Sequence, residues 1–170
     1  MMHRSEDPAV VRRVEPVYVV HSGELLIEAP VEVTWRHVMD YASWQNFRVF
    51  QHLSGARGQE GEVVLLKKEE AGFDFPAYKA RTIKLVPESQ IIWKQYTDEE
   101  SEGINFFGLV TFRVAAVPVG TRFWYDLVFE FLVPYDDVSE LDAFRGRQHE
   151  NFARLTSSVF PRLKRRAEER

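Results

Sequence analysis

Polar side chains on an otherwise apolar helical stripe are the first place to look for chemistry in this chain. From Ser139 to Ala167, Leu141, Phe144, Gln148, Phe152, Leu155, Val159 and Leu163 recur at spacings of three and four, which is one face of a helix. Gln148 sits near the centre of that stripe, with Arg145 close by and His149 at its edge. A buried amide needs partners. Either Gln148 bonds a strand hydroxyl and is purely structural, or Gln148 and Arg145 form the polar end of a ligand pocket. The candidates for acid–base work are Arg81, Tyr125, Arg145, Gln148 and His149, and of these only His149 ordinarily titrates near neutrality. No spacing singles out one of them as catalytic.

Several chemistries have no support. The five histidines (His3, His21, His37, His52, His149) contain no i, i+4 pair and no His-Glu-x-x-His. There is no cysteine, hence no thiolate metal site and no disulfide. No metal and no cofactor are expected. The Gly55-x-x-Gly58-x-x-Gly61 stretch lacks both the dinucleotide spacing and a phosphate-binding lysine, and reads as a loop. The run Asp98 to Glu102 lacks calcium-loop spacing and reads as a hairpin tip. A net charge of −4 argues against a nucleic-acid partner. No apolar stretch approaches the ~18 residues of a membrane span, and the polar start has no signal-peptide run, so the expected location is cytoplasmic.

The remaining pattern gives the scaffold. The expectation is a flexible N-terminal arm over residues 1–13 and one domain over 14–170. Tyr18 to Ile27 reads as a strand, with Gly23 as a bulge, stopped by Ala29-Pro30. Val31, Trp35, Val38 and Met39 mark a short helix; Asp40 and Ser43 are cap candidates for a second one holding Trp44 and Phe47. Strands follow at 63–68, 78–86, 90–97, 105–117 and 121–132, the last two joined by a turn at Pro118 to Gly120. Phe123, Tyr125, Leu127, Phe129 and Phe131 share the inner face of the last strand. Phe106, Phe112 and Trp93 face inward on the two strands before it, and Gly108 leaves room among them. For 78–86 either face fits, and a one-residue bulge would switch it midway. Ser139 with Asp142 reads as the cap of the long helix, and Pro161 should kink or loosen its last turns. Thirteen Phe and four Trp exceed a minimal core; they form either an aromatic-rich core or the wall of a cavity.

Three segments carry a family resemblance. Glu28-Ala29-Pro30-Val31-Glu32-Val33-Thr34-Trp35 resembles the strand end, Ala-Pro turn and first helix of the START-like superfamily, also called SRPBCC or birch-pollen-allergen-like. Asp40 through Trp44 and Phe47 resembles its second helix, and Gly120-Thr121-Arg122-Phe123 its hairpin into the last strand. The resemblance covers about residues 18–167. It implies an α+β helix-grip fold: a curved antiparallel sheet of six to seven strands around a long C-terminal helix, with two short helices after the first strand. It also implies an internal cavity. Relatives include lipid and sterol carriers, hormone receptors, quinone-binding proteins and polyketide cyclases, so the fold does not fix the function. The expected function is binding or transport of a small hydrophobic ligand (lipid, quinone or polyketide-like). The alternatives are a polyketide aromatase/cyclase using the same cavity, and a protein-interaction adaptor with a filled core; whether the chain is an enzyme, and whether it forms a homodimer, stays open. The expected lining is Trp93, Phe106, Phe112, Tyr125, Phe129, Phe144, Arg145, Gln148 and Phe152.

Overall fold

The structure, a computed structural model, describes residues 12–70, 75–98 and 103–169. The elements, in chain order, are β1 (Arg13–Ile27), α1 (Val31–Met39), α2 (Tyr41–Trp44), β2 (Phe47–Ser54), β3 (Val63–Lys68), β4 (Tyr78–Val86), β5 (Gln90–Tyr96), β6 (Asn105–Val117), β7 (Gly120–Tyr135) and α3 (Val138–Glu168). The strands make one seven-stranded antiparallel sheet in the order β1-β7-β6-β5-β4-β3-β2. Consecutive strands from β2 to β7 are neighbours, and β1 returns to pair with the last. The helix α3 lies on one face, as the greasy stripe requires. Phe144, Gln148, Phe152, Thr156, Val159, Phe160, Leu163 and Ala167 are its buried residues. Full burial of side chains such as Phe152 and Leu163 contributes about 1.5–3 kcal/mol each.

Several local expectations are corrected. β1 begins at Arg13 rather than Tyr18, and Arg12 pairs with Asp136 at 2.9 Å, so the end of the expected arm belongs to the fold. The rest of that arm, residues 1–11, lies outside the described residues, as do Ala71-Gly72 and most of the acidic hairpin tip. Gly23 is no bulge, because the β1–β7 register runs unbroken from Arg13↔Tyr135 to Ile27↔Thr121. A Cβ there would instead overlap the Tyr125 hydroxyl. α2 ends at Trp44, where Gln45 turns extended, and Phe47 opens β2. Pro134 lies inside β7, opposite Val14; the β6 ladder stops at Leu132, so that position has only β1 beside it. The cap of α3 is Asp137, whose carboxylate accepts from the Ser139 N–H at 2.8 Å; Ser139 is already helical. α3 continues through Pro161 to Glu168.

The face of β4 is decided by a register shift between Thr82 and Lys84. Tyr78, Ala80 and Thr82 are buried, Ile83 is the extra residue, and Leu85 then returns to the inner side opposite Ile91. Arg81 accordingly points outward and is exposed, which removes it from the acid–base candidates.

α3 is fastened along the edge strand β1. Lys164 donates to the Leu26 carbonyl at 2.7 Å, the Glu168 carboxylate accepts from the Glu28 N–H at 2.7 Å, and His21 bonds Thr156 at 2.9 Å. Opposite β1, over β3 to β5, α2 fills part of the space. Trp44 is buried there and donates from Nε1 to the His37 carbonyl at 2.8 Å.

Candidate functional site

Alternation along five strands delivers one set of side chains beneath α3. β3 turns Val64, Leu66 and Lys68 inward; β4 adds Tyr78, β5 adds Gln95, and β6 adds Val110 and Phe112. β7 adds Leu127 and Phe129. Phe152, Leu155, Thr156, Val159 and Phe160 of α3 close the space from above, and Gln45 closes it after α2. The cavity is about 40 Å³. A hollow of about 20 Å³ adjoins it, walled by Tyr41, Phe47, Leu66, Ala80 and Trp93, and shares Gln45, Gln95 and Val110 with it.

Among the described residues, Lys68 is the only charged one in the wall. Its Nζ donates to Gln45 Oε1 at 2.8 Å and stands 4.6 Å from the centre of the Phe47 ring. Among the described residues it has no ion-pair partner. Glu70 is near enough to favour the ammonium, but its carboxylate is engaged by the Arg162 guanidinium. Arg162 also donates from Nε to the Trp44 carbonyl at 2.8 Å, and its charge repels that of Lys68. Burial is the largest influence, and the balance lowers the Lys68 pKa to about 7.

Two further polar groups reach the cavity. Neither the Tyr78 hydroxyl nor the Gln95 amide makes a hydrogen bond among the described residues. Burial pushes the Tyr78 phenol up, so it stays protonated as a donor. Tyr41, in the adjoining hollow, is raised to about 12 by burial and then by Glu62. Thr156 is satisfied: it donates to the Ala153 carbonyl at 3.2 Å and bonds His21. Burial, and secondarily His149, lowers the His21 pKa.

The sequence-derived lining falls into three groups. Phe112, Phe129 and Phe152 wall the cavity, and Trp93 walls the adjoining hollow. Phe106, Tyr125, Phe144 and Gln148 face inward without lining it. Phe106 packs on Tyr78 and Phe129, Tyr125 stacks on Phe160 at 4.2 Å, and Phe144 meets Phe131 edge-on. Gln148 is buried among the core residues, its Oε1 accepting only a long 3.4 Å bond from Asn151. Arg145 is a correction. One residue past Phe144, it is turned about 100° away, exposed, and paired with Asp142 at 2.7 Å. Gly108 is another: the Phe129 ring opposite already occupies the space its side chain would take.

Sequence reasoning missed Lys68, Gln45, Gln95, Tyr78, Thr156 and Phe160. A signal existed for Lys68, which is in phase with Val64 and Leu66. Phe160 was similarly visible, in a four-residue series with Phe152 and Thr156.

No protein-family model matches the sequence, and no curated protein is detectably similar to it. Solved structures are. An uncharacterized protein from Rhizobium leguminosarum superposes with a TM-score of 0.64 at 17% identity, covering 92% of this chain and 98% of its own. An aromatase/cyclase from a Streptomyces species gives 0.60 at 19%, covering 91% and 94%. A major latex-like protein from Panax ginseng gives 0.59 at 15%, covering 90% and 99%. The fold is the START-like helix grip. At these identities the likeness speaks for the fold alone. Within this helix grip the sheet-to-helix gap is nearly closed: about 40 Å³ holds a few waters, not a ligand. Among the described residues no cluster of His, Asp or Glu is arranged to hold a metal, and no helix is long and apolar enough to cross a membrane.

Proposed function

We propose that the protein binds a small, mainly apolar ligand between α3 and the sheet, with a polar end directed at Lys68, Gln95 and Tyr78. One observation carries this reading. An aromatic and aliphatic wall carries two polar groups, the Tyr78 hydroxyl and the Gln95 amide, that make no hydrogen bond among the described residues, which is the chemistry of a small-molecule site. In a core meant only to be packed, such groups cost stability. Because sites for drug-sized ligands have volumes of ~300–1,000 Å³, the liganded state is wider than this one.

A native mass spectrum of the purified protein, together with titration by an environment-sensitive apolar dye, tests the reading. The expected results are extra mass or about one-to-one dye binding, and loss of binding in Val110→Phe, which fills the junction of cavity and hollow. No extra mass and no dye binding would leave the filled-core adaptor. The aromatase/cyclase alternative gains support from one feature, an amine able to exchange protons near neutral pH inside the cavity.

A further inference from the structure

We propose that Lys68 is a nucleophile, and that its amine adds to the carbonyl carbon of a small apolar aldehyde or ketone held in the helix–sheet cavity, forming an imine. This rests on the cavity being a ligand site. The Nζ lone pair attacks the carbonyl carbon, and the carbonyl oxygen takes up a proton to give the carbinolamine. The C–O bond then breaks, the C=N bond forms, and water leaves with the carbonyl oxygen and the two amine hydrogens. No oxidant or reductant is needed.

The placement of Lys68 supplies each requirement. The amine must reach the ligand, and Lys68 is in the wall of the cavity. It must be free of a carboxylate: among the described residues its one hydrogen-bond partner is the neutral Gln45 oxygen at 2.8 Å, and Glu70 is taken by Arg162. It must be unprotonated near neutral pH. Burial among Phe47, Tyr78, Phe112 and Phe160, with the Arg162 charge nearby, favours the neutral amine, and Glu70 opposes this only in part. The carbinolamine oxygen needs a proton donor to leave as water, and the unpartnered Tyr78 hydroxyl opens onto the same space.

The other five lysines lack this combination. Lys79 pairs with Asp98, which raises its pKa. Lys164 is held by Glu168 and by the Leu26 carbonyl. Lys67, Lys84 and Lys94 are not part of the cavity wall.

The experiment is reductive trapping of the full chain with butanal and cyanoborohydride at pH 6.5 to 7, read by intact mass and peptide mapping. Mapping separates Lys68 from the N-terminal amine, which also titrates near neutrality. The expected result is a first butyl adduct on Lys68, formed at least about tenfold faster than on any other lysine. That ratio follows from an amine pKa lower by more than one unit. Lys68→Met should lose the adduct. Labelling of Lys68 at or below the rate of the other lysines overturns the proposal, whether or not Lys68→Met folds. A protein that binds dye but leaves Lys68 unlabelled loses the imine and keeps the cavity reading. One that neither binds dye nor labels at Lys68 loses both.

Discussion

An ammonium at the position of Lys68 is costly, and the cost has a definite pH window. The folded pKa of about 7 lies below the ordinary 10.5. Between those values the unfolded chain holds more protons than the folded one, so this residue makes stability rise with pH from about 7 to about 10. Below 7 both states are protonated and the full penalty is present. Lys68→Met keeps the length and discards the charge. It should stabilise the protein on the order of 1–4 kcal/mol at pH 6, with the gain over wild type closing as pH approaches 10. Denaturant midpoints of both proteins across that range check this; a pH-independent gap would mean that the ammonium finds solvent. Gly108 carries a second residue-scale prediction. Gly108→Ala would push a methyl into the Phe129 ring and should cost about 1–3 kcal/mol, measurable by the same unfolding assay. The sequence invited the opposite reading, that this glycine left a void. Which cross-strand ring covers a glycine depends on register, and one strand's pattern does not contain it. The same holds for Gln95 and Tyr78. That they converge on one cavity is a property of five strands and a helix together.

Element by element, legibility followed the strength of the local period. The stripe from Phe144 to Leu163 and the alternation from Phe123 to Phe131 predicted the faces of α3 and β7, because one wrong step would bury charge. β4 was ambiguous for a physical reason: the bulge at Ile83 breaks the period of two, so neither continuous face could be right. Element ends were less legible. The start of β1 and the end of β7 exist because each pairs with the other, across more than a hundred residues. α1 allows a direct test at this scale. Trp35 was placed on its inner side from spacing alone, and it is buried, at 8% exposure. Trp35→Ala should lower stability by about 3–5 kcal/mol through lost burial and the cavity left behind. Near-unchanged thermal unfolding would show that α1 does not pack as a core element.

At the scale of the whole molecule, the small cavity and the charge on Lys68 are governed by one clamp. Arg162 of α3 reaches both the Trp44 carbonyl at the end of α2 and the carboxylate of Glu70 beyond β3, and Ser158 touches the same carboxylate at 3.4 Å. The clamp holds α3 down on the side where it lacks the β1 fastenings. A ligand larger than the closed cavity enters only if α3, α2 or the end of β3 moves. Arg162→Ala should therefore raise the association rate of an apolar dye, seen by stopped-flow fluorescence. The same change has a second, opposite consequence. With Arg162 gone, Glu70 is unpaired beside Lys68, one repelling charge is lost, and the lysine pKa should move upward from about 7. Butanal trapping at Lys68 near neutral pH should then slow even as dye entry quickens. A clamp that only secured the fold would not split the two readouts in this way. Trapping that speeds up along with dye entry would show that access, rather than protonation, limits the amine, and would remove Arg162 from the control of Lys68.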